Sequence, residues 1–242
     1  MICAVIVAAG SGSRMQAPVK KQYLLLDGLP IVCHTLMAFD RLSAVDRILF
    51  VVPRNDLQWC RENIVAPLAL HHDIQLVAGG RRRQESVLNG LAAAATTEGI
   101  VMIHDGVRPF VRPFLIDACL TGVAATGACI PVIPVTDTLK QVDENAVIVR
   151  TLDRRHIRLA QTPQTFAIDL IRHAHQLAER QGFVATDDAS VAEFAGESVT
   201  VVPGDRDNIK ITTAQDLPIA VTILERWQSK EFKGDTQDLE PV

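Results

Sequence analysis

The feature that most constrains the fold is a repeated alternation between short, continuously apolar segments and longer segments of helical periodicity. The apolar segments are rich in β-branched residues and predict strands at residues 3–8, 47–52, 74–77, 100–104 and 128–134. The intervening segments predict helices at residues 30–40, 56–68, 84–95 and 113–125. Strands that are apolar throughout belong to a parallel sheet with helices on both faces. We therefore predict an α/β fold with a doubly wound, mostly parallel, Rossmann-like sheet, whose ligands bind at the carboxyl ends of the strands.

The alternation stops after Pro134, where residues 136–155 become polar and alternating around a turn signal at Asp143-Glu144-Asn145. This pattern predicts a two-stranded hairpin with no core of its own. An isolated hairpin is marginally stable in water, so we expect it to pack on something else, such as a second subunit.

The rest of the chain returns to the first pattern. It predicts helices at residues 168–181, 187–194 and 214–227 and a strand at 199–202. No repeat or linker interrupts it. We predict one domain spanning residues 1–228, with a protruding β-hairpin arm at about 136–156, followed by a polar, frayed tail at 229–242.

Composition excludes several classes of function. The 242-residue chain has a net charge of −4, whereas binding to nucleic acid needs a basic face. Basic residues still cluster at Lys20-Lys21, Arg81-Arg82-Arg83 and Arg154-Arg155, which favours a small anionic substrate. The apolar N-terminal run is too short to span a membrane, and the five scattered cysteines include no CxxC pair. We therefore expect a cytoplasmic protein with reduced cysteines that binds neither nucleic acid nor a membrane.

The first strand leads into a glycine-rich, basic loop at residues 8–21, which carries Gly10, Gly12, Arg14 and Lys21. Glycines directly after a strand let backbone N–H groups approach a phosphate, and fixed cations stabilise the charge that develops in nucleotidyl transfer. A dinucleotide fingerprint would need a third glycine in place of Met15, and a P-loop would need Gly-Lys-Ser/Thr at its end. The alternative is a structural turn with solvated basic residues. The two cations favour nucleotidyl transfer.

Two further loops follow predicted strands. Gly79-Gly80 and Ser86 lie at the start of a helix that could face a nucleotide, or they form an ordinary turn before a solvated arginine run. Asp105 could help to hold Mg²⁺ or sugar hydroxyls while Arg108 binds an anion, or the two could form an ion pair that closes the turn. His104, at the end of the strand, is interpreted as a packing residue and not as a base.

Candidates later in the chain are weaker. Thr186 opens a helix start at which helix capping is the strong alternative. Lys210 lies in an apolar segment that predicts a strand, so its ammonium should point at an anion or at solvent. Four further histidines lack metal-ligand neighbours and are interpreted as surface residues: His71, His72, His173 and His175.

In chain order these segments form one series of motifs. The series is Ala-Ala-Gly-x-Gly-x-Arg-Met, Lys-Gln-Tyr, Gly-Gly-x-x-Arg-x-x-Ser-Val, His-Asp-x-x-Arg-Pro, Gln-Thr-Pro-Gln, Thr-Asp-Asp-Ala-Ser and Asp-Asn-Ile-Lys. It resembles the 2-C-methyl-D-erythritol 4-phosphate cytidylyltransferase family of the non-mevalonate isoprenoid pathway, from Ile2 to about Leu224. The first motif alone indicates only a nucleotidyltransferase, whereas the ordered series is specific.

The resemblance implies that CTP reacts with methylerythritol phosphate, with Mg²⁺, to give the CDP-alcohol and pyrophosphate. It implies that Arg14 and Lys21 stabilise the transition state, and that Arg154 and Lys210 position the attacking phosphate. The implied CTP-binding residues are Ala8, Ala9, Gly10, Gly12, Arg14, Lys21, Gly80, Ser86 and Gly106. The implied methylerythritol phosphate-binding residues are Asp105, Arg108, Thr138, Arg154, Thr162, Thr186 and Lys210. Mg²⁺ would be held mainly by the CTP phosphates, with Asp105 as the candidate protein ligand.

The resemblance also implies a homodimer in which the arms are exchanged, so that Thr138 and Arg154 serve the partner's site. Arg81 departs from the family pattern, which often has an acidic residue there, and the catalytic lysine is assigned to Lys21 from its place before Gln22-Tyr23. Two other functions stay open at this point. A ribitol-5-phosphate cytidylyltransferase would share most nucleotide motifs, and a non-catalytic nucleotide-binding module would keep the glycines without the cations.

Overall fold

The computed structural model describes residues 1–10, 19–96 and 98–229. The strands of the described residues are β1 (Ile2–Val7), β2 (Leu25–Leu26), β3 (Leu29–Pro30), β4 (Arg47–Val52), β5 (Ile74–Ala78), β6 (Ile100–Asp105), β7 (Ala128–Pro134), β8 (Lys140–Val142), β9 (Ile148–Thr151), β10 (Arg158–Ala160), β11 (Gln164–Ala167) and β12 (Thr200–Pro203). Their helices are α1 (Ile31–Asp40), α2 (Leu57–Cys60), α3 (Arg83–Ala93), α4 (Pro113–Thr126), α5 (Ile168–Arg180), α6 (Asp188–Phe194) and α7 (Asp216–Gln228).

The predicted central sheet is confirmed. Strands β6, β1, β4 and β5 lie side by side and parallel, and β12 pairs with β7 in parallel. Strand β11 lies between β6 and β7 and is antiparallel to both, while β10 pairs antiparallel with the end of β7. Neither β10 nor β11 was predicted from the sequence. Both are short and flank the proline-containing Gln-Thr-Pro-Gln segment, which lacks the apolar run of a buried strand.

Each central strand is apolar throughout because its two faces are covered by different helices. From β1, Cys3, Val5 and Val7 pack in one core cluster with residues of α3, α5 and α6. Ala4 and Ile6 face the opposite way and pack in a second cluster with residues of α1 and α4. This two-sided burial leaves the carboxyl edge of the sheet as the open place for a ligand.

The ends of two helices follow from local chemistry. Helix α4 starts with Pro113 at its first position and stops at Gly127, whose φ of 75° is the left-handed conformation that favours glycine. Helix α6 starts with a capping box, in which the Asp187 side chain accepts from the Ser190 N–H and Ser190 bonds back to Asp187. Over the described residues, none of the helices has both the length and the apolarity to cross a membrane.

The predicted arm is a separate two-stranded sheet of β8 and β9. Every residue of both strands is exposed. Its apolar side chains are also open to solvent, Val147 at 60%, Ile148 at 58% and Val149 at 60%. The arm therefore has no core within its own chain.

Candidate active site

A cleft of ≈ 360 Å³ opens at the carboxyl ends of β1, β5 and β6. Its lining includes the predicted site residues Ala8, Ala9, Gly10, Lys21, Gly80, Ser86, Asp105 and Lys210. Residues that lie far apart in the sequence therefore meet where a doubly wound sheet binds its ligands. The predicted site residues Gly12 and Arg14 lie outside the described residues.

The buried side chain of Gln22 fixes the start of the first loop. Its Nε2 donates to the backbone oxygen of Ala8 at 2.7 Å and to that of Gly10 at 3.1 Å. The bond holds residues 8–10 against the short helical turn that carries Lys21. The Lys-Gln-Tyr motif indicated the position of Lys21 but not this role of Gln22.

The two adjacent lysines lie in different surroundings. The ammonium of Lys20 forms an ion pair with Asp56 at 2.6 Å, and the Tyr23 hydroxyl donates to the same carboxylate at 2.9 Å. Lys21 instead lies in the lining of the cleft. Lys21 is therefore placed to meet an anion in the cleft, whereas Lys20 has a carboxylate partner outside it.

The loop after β5 is folded tightly against the loop after β1. A Cβ added to Gly79 would lie 2.3 Å from Cβ of Ala9, so only glycine permits this approach. The Gly80 N–H donates to Oγ of Ser86 at 3.1 Å, and that hydroxyl donates to the Arg82 oxygen at 3.0 Å. Ser86 is 2% exposed, and its hydroxyl shapes the loop at the start of α3.

Arg83 does not fit the alternative in which residues 81–83 form a solvated arginine run. Its Nε lies 3.2 Å from Oδ1 of Asp105, and its NH1 group lies 2.7 Å from Oδ2 of Asp188. The first arginine of the run, Arg81, does stay in solvent, with its side chain 92% exposed beside Glu85. Arg83 therefore joins the cleft to a carboxylate buried behind it.

Asp105 lies among three cations. Lys210 Nζ contacts its Oδ2 at 2.6 Å, Arg108 Nε lies 3.9 Å from Oδ2, and Arg83 approaches Oδ1. Although burial disfavours the charged carboxylate, Arg83, Lys210 and Arg108 outweigh it and hold the pKa of Asp105 well below its ordinary value. The carboxylate is therefore ionised.

These contacts bear on the candidate metal ligand. Both oxygens of Asp105 are already occupied by cations, and among the described residues no group of three or more His, Cys, Asp or Glu side chains could hold a metal ion. The donor set of the cleft therefore does not fit a metal site formed by protein side chains alone.

His104 is fully buried and neutral. Its Nε2 donates to the backbone oxygen of Arg108 at 3.0 Å, so its Nδ1 carries no proton and accepts from the Thr162 hydroxyl at 2.9 Å. The same hydroxyl oxygen accepts a hydrogen bond from the Asp105 N–H. Burial lowers the pKa of His104 from 6.5 to about 4. The packing role predicted for His104 agrees with these contacts, which hold Asp105 and Thr162 together.

His104 predicts a pH dependence of stability. Its folded pKa of about 4 lies below the ordinary 6.5, so the unfolded chain binds the proton more tightly between these values. The stabilising contribution of the neutral His104 should therefore be complete above pH 6.5. The free energy of unfolding should fall by ~2 kcal/mol on going to pH 5. Urea unfolding at both pH values measures the fall. The loss should be smaller in His104→Gln than in the control His173→Gln, which alters an exposed residue, and equal losses would contradict the prediction.

The segment that carries Lys210 is irregular, so the predicted strand there is wrong. The segment is held instead by side chains. The Arg108 guanidinium donates to the backbone oxygen of Asn208 at 2.6 Å, and the Asn208 side-chain amide donates to the backbone oxygen of Thr162 at 2.8 Å. The predicted anion for Lys210 is Asp105. Arg108 and Thr162, which are not in the cleft lining, therefore act as its immediate support.

Other predicted residues lie apart from the cleft lining. Thr138 and Arg154 are exposed on the arm, where Arg154 donates to the Thr136 backbone oxygen. Thr186 is exposed just before α6. Gly106 packs closely against Ala8 of the cleft lining, since a Cβ at Gly106 would lie 2.9 Å from Cβ of Ala8.

His175 contradicts its interpretation as a surface residue and His72 is only partly exposed, whereas His71, with its side chain 83% exposed, lies on the surface as predicted. His175 is fully buried in α5, with Nε2 3.2 Å from Oδ1 of Asp188. His71 and His72 both contact Asp40 through their backbone N–H groups and their Nδ1 atoms. His173 is exposed, as predicted.

Comparison with known proteins gives consistent matches. The family model described as 2-C-methyl-D-erythritol 4-phosphate cytidylyltransferase (IspD) matches residues 2–226. The protein of that name from Pelotomaculum thermopropionicum is 42% identical over 229 residues, 95% of this chain and 96% of the relative.

Solved structures match as well. The 4-diphosphocytidyl-2C-methyl-D-erythritol synthase of Anaerococcus prevotii superposes with a TM-score of 0.81 and 31% identity, over 93% of this chain and 98% of the other. The 2-C-methyl-D-erythritol 4-phosphate cytidylyltransferase of Francisella tularensis has a TM-score of 0.77 and 31% identity, over 92% and 99% of the two chains.

Proposed function

Because the chain belongs to the 2-C-methyl-D-erythritol 4-phosphate cytidylyltransferase family, we propose that the cleft at the end of β1, β5 and β6 catalyses that family's reaction. The enzyme is a cytidylyltransferase: it transfers the cytidylyl group of CTP to methylerythritol phosphate, releasing pyrophosphate and forming 4-CDP-2-C-methyl-D-erythritol in isoprenoid precursor biosynthesis. The observation that carries the assignment of the site is that Lys21, Asp105 and Lys210 share one cleft with glycine-bearing loops.

The nucleotide half of the cleft is formed by residues 8–10, Gly80 and Ser86. Backbone N–H groups there and at the start of α3 would bind the triphosphate. Lys21, with Arg14, would stabilise the negative charge that builds up on the α-phosphate and on the departing pyrophosphate. Fixed cations of this kind act without a covalent intermediate.

The acceptor half is formed by Asp105 and Lys210, and Arg108 and Thr162 support Asp105 from outside the cleft lining. Lys210 would attract the phosphate of methylerythritol phosphate, and the ionised Asp105 would accept hydrogen bonds from the polyol hydroxyls. The attacking phosphate oxygen is already ionised at neutral pH, so the reaction needs no general base. The neutral, buried His104 agrees with this mechanism.

Magnesium would enter with the nucleotide. Since the described side chains of the cleft do not form a metal site, the CTP phosphates would supply most of its ligands and the ion would neutralise part of their charge. To bind the metal ion, Asp105 would have to give up its contact with Arg83 or Lys210, so Asp105 is a poor metal ligand.

The arm supports a homodimer. Its exposed apolar residues need a partner surface, and Thr138 and Arg154 lie on it, away from the cleft lining of their own chain. We propose that the arm packs on a second copy and brings these two residues, with Arg154 binding the acceptor phosphate, to the partner's cleft. All five cysteines are buried free thiols, which supports a reducing, cytoplasmic location.

Pyrophosphate release from CTP tests the function. We expect turnover with methylerythritol phosphate, because the chain belongs to the family that uses this acceptor, and at most slow turnover with ribitol 5-phosphate. Release with ribitol 5-phosphate alone would assign a different acceptor to the site. Nucleotide binding without release from either compound would leave a non-catalytic binding module.

A further inference from the structure

The buried His175 is unexplained by the reaction just described. It is 0% exposed on the apolar face of α5, among Ile171, Ala174 and Ala178. A buried imidazole is costly unless it is hydrogen-bonded. Its Nε2 contacts Asp188 at 3.2 Å, and its Nδ1 has no hydrogen-bond partner among the described residues. The one polar contact of His175 is therefore a carboxylate.

Asp188 is itself buried and charged. It is 1% exposed at the first position of α6, and although burial opposes the charged form, Arg83 and His175 lower its pKa below the ordinary value. Its backbone N–H donates to Oε1 of Gln164 at 2.8 Å, which fixes the main chain. What remains free is rotation of the carboxylate.

His175 fixes that rotation. It binds Oδ1 of Asp188, while Arg83 binds Oδ2 at 2.7 Å, so the two oxygens have separate partners. Arg83 continues to Oδ1 of Asp105 at 3.2 Å, and Lys210 contacts the other oxygen of Asp105 at 2.6 Å. A continuous series of polar contacts thus runs from the interior of α5 to the acceptor half of the cleft.

We propose that His175 is a positioning residue for the acceptor half of the cleft: by fixing Asp188 it sets the place of Arg83, and through Arg83 that of Asp105 and Lys210. The proposal rests on the proposed function, since it assigns Asp105 and Lys210 to methylerythritol phosphate. The nucleotide half is held by other contacts, those of Gln22 with residues 8–10 and of Ser86 with Gly80. Substitution of His175 should therefore weaken the binding of methylerythritol phosphate and leave the binding of CTP unchanged.

The test compares three variants in steady-state kinetics with CTP and methylerythritol phosphate. His175→Leu keeps an apolar volume and removes the donor, His175→Gln keeps an N–H donor, and His173→Leu alters an exposed residue of the same helix as a control. We expect His175→Leu to raise KM for methylerythritol phosphate about tenfold, the scale of losing an outer-shell partner, with KM for CTP within about twofold. His175→Gln should restore most of the loss, and the control should match the wild type.

A purely structural role for His175 would lower the melting temperature and change both KM values equally, and that result would overturn the proposal. Unchanged values for both substrates in His175→Leu would overturn it as well. If His175→Leu does not fold, Asp188→Asn, which removes the charge facing Arg83, should give the same selective rise in KM. Failure of the wild type to turn over methylerythritol phosphate would instead reject the proposed function, so the two failures are distinguishable.

Discussion

Lys21→Ala is expected to lower kcat by about 10²–10³-fold, the cost of removing one fixed charge or donor that acts on the transition state. Lys21 lies in the cleft lining on a turn that Gln22 fixes to residues 8–10, so in the proposed mechanism its charge would meet the α-phosphate without reorganisation. Since the charge on the reacting phosphate grows only as the bond breaks, KM for CTP should change by no more than about threefold. Initial rates of pyrophosphate release measure both quantities.

Lys20→Ala is the matched control for that experiment. It removes the same charge one residue earlier, from an ion pair with Asp56 outside the cleft, and partly exposed pairs of this kind contribute little. We expect its kcat to stay within about threefold of the wild type. Equal losses in the two variants would show that general charge, and not the position of Lys21, is what the reaction uses.

Mixing two inactive variants is expected to restore activity. In a dimer that exchanges arms, the cleft of Arg154→Ala receives an intact arm from Lys21→Ala, so each mixed dimer has one complete site. With random exchange of subunits at equal concentrations, about a quarter of the wild-type sites should be recovered. Activity of the mixture against each variant alone measures this recovery.

The control is a mixture of Lys21→Ala with the Lys21→Ala/Arg154→Ala double variant, in which no cleft can be complete. Subunit exchange is monitored independently with differently tagged chains. If exchange is complete and the first mixture stays inactive, each site is formed within a single chain and the arm serves only for packing.

Most of the sheet could be predicted because its strands are apolar on both faces and separated by helices. Strands β10 and β11 could not be predicted, because their own residues form no apolar run. They are ordered by pairing with other strands, β10 with β7 and β11 with β6 and β7. The strand predicted around Lys210 is wrong for the converse reason. Its alternating apolar residues pack against α7 and the loop after β6, and its backbone is held by Arg108 and Asn208.

The loops of the cleft could be located from glycines and cations that follow strands. Its supporting contacts could not, because Arg83 and Asp188 lie 105 residues apart and no local pattern joins them. His175 did leave a signal. It falls on the same helical face as Ile168, Ile171 and Ala178, which is the buried face of α5, so periodicity alone could have placed it inside although we interpreted it as a surface residue.

The surroundings of Asp105 have a consequence for the cleft before any substrate arrives. Arg83, Arg108 and Lys210 carry three positive charges, and Asp105 with Asp188 carries two negative ones, so the group holds a net charge of +1. Without Asp105, Asp188 would offset only Arg83, and the remaining charges of Arg108 and Lys210 would repel each other and weaken the fold. Asp105 thus serves as a counterion that holds the three cations together. The net positive charge that remains still attracts an anionic substrate.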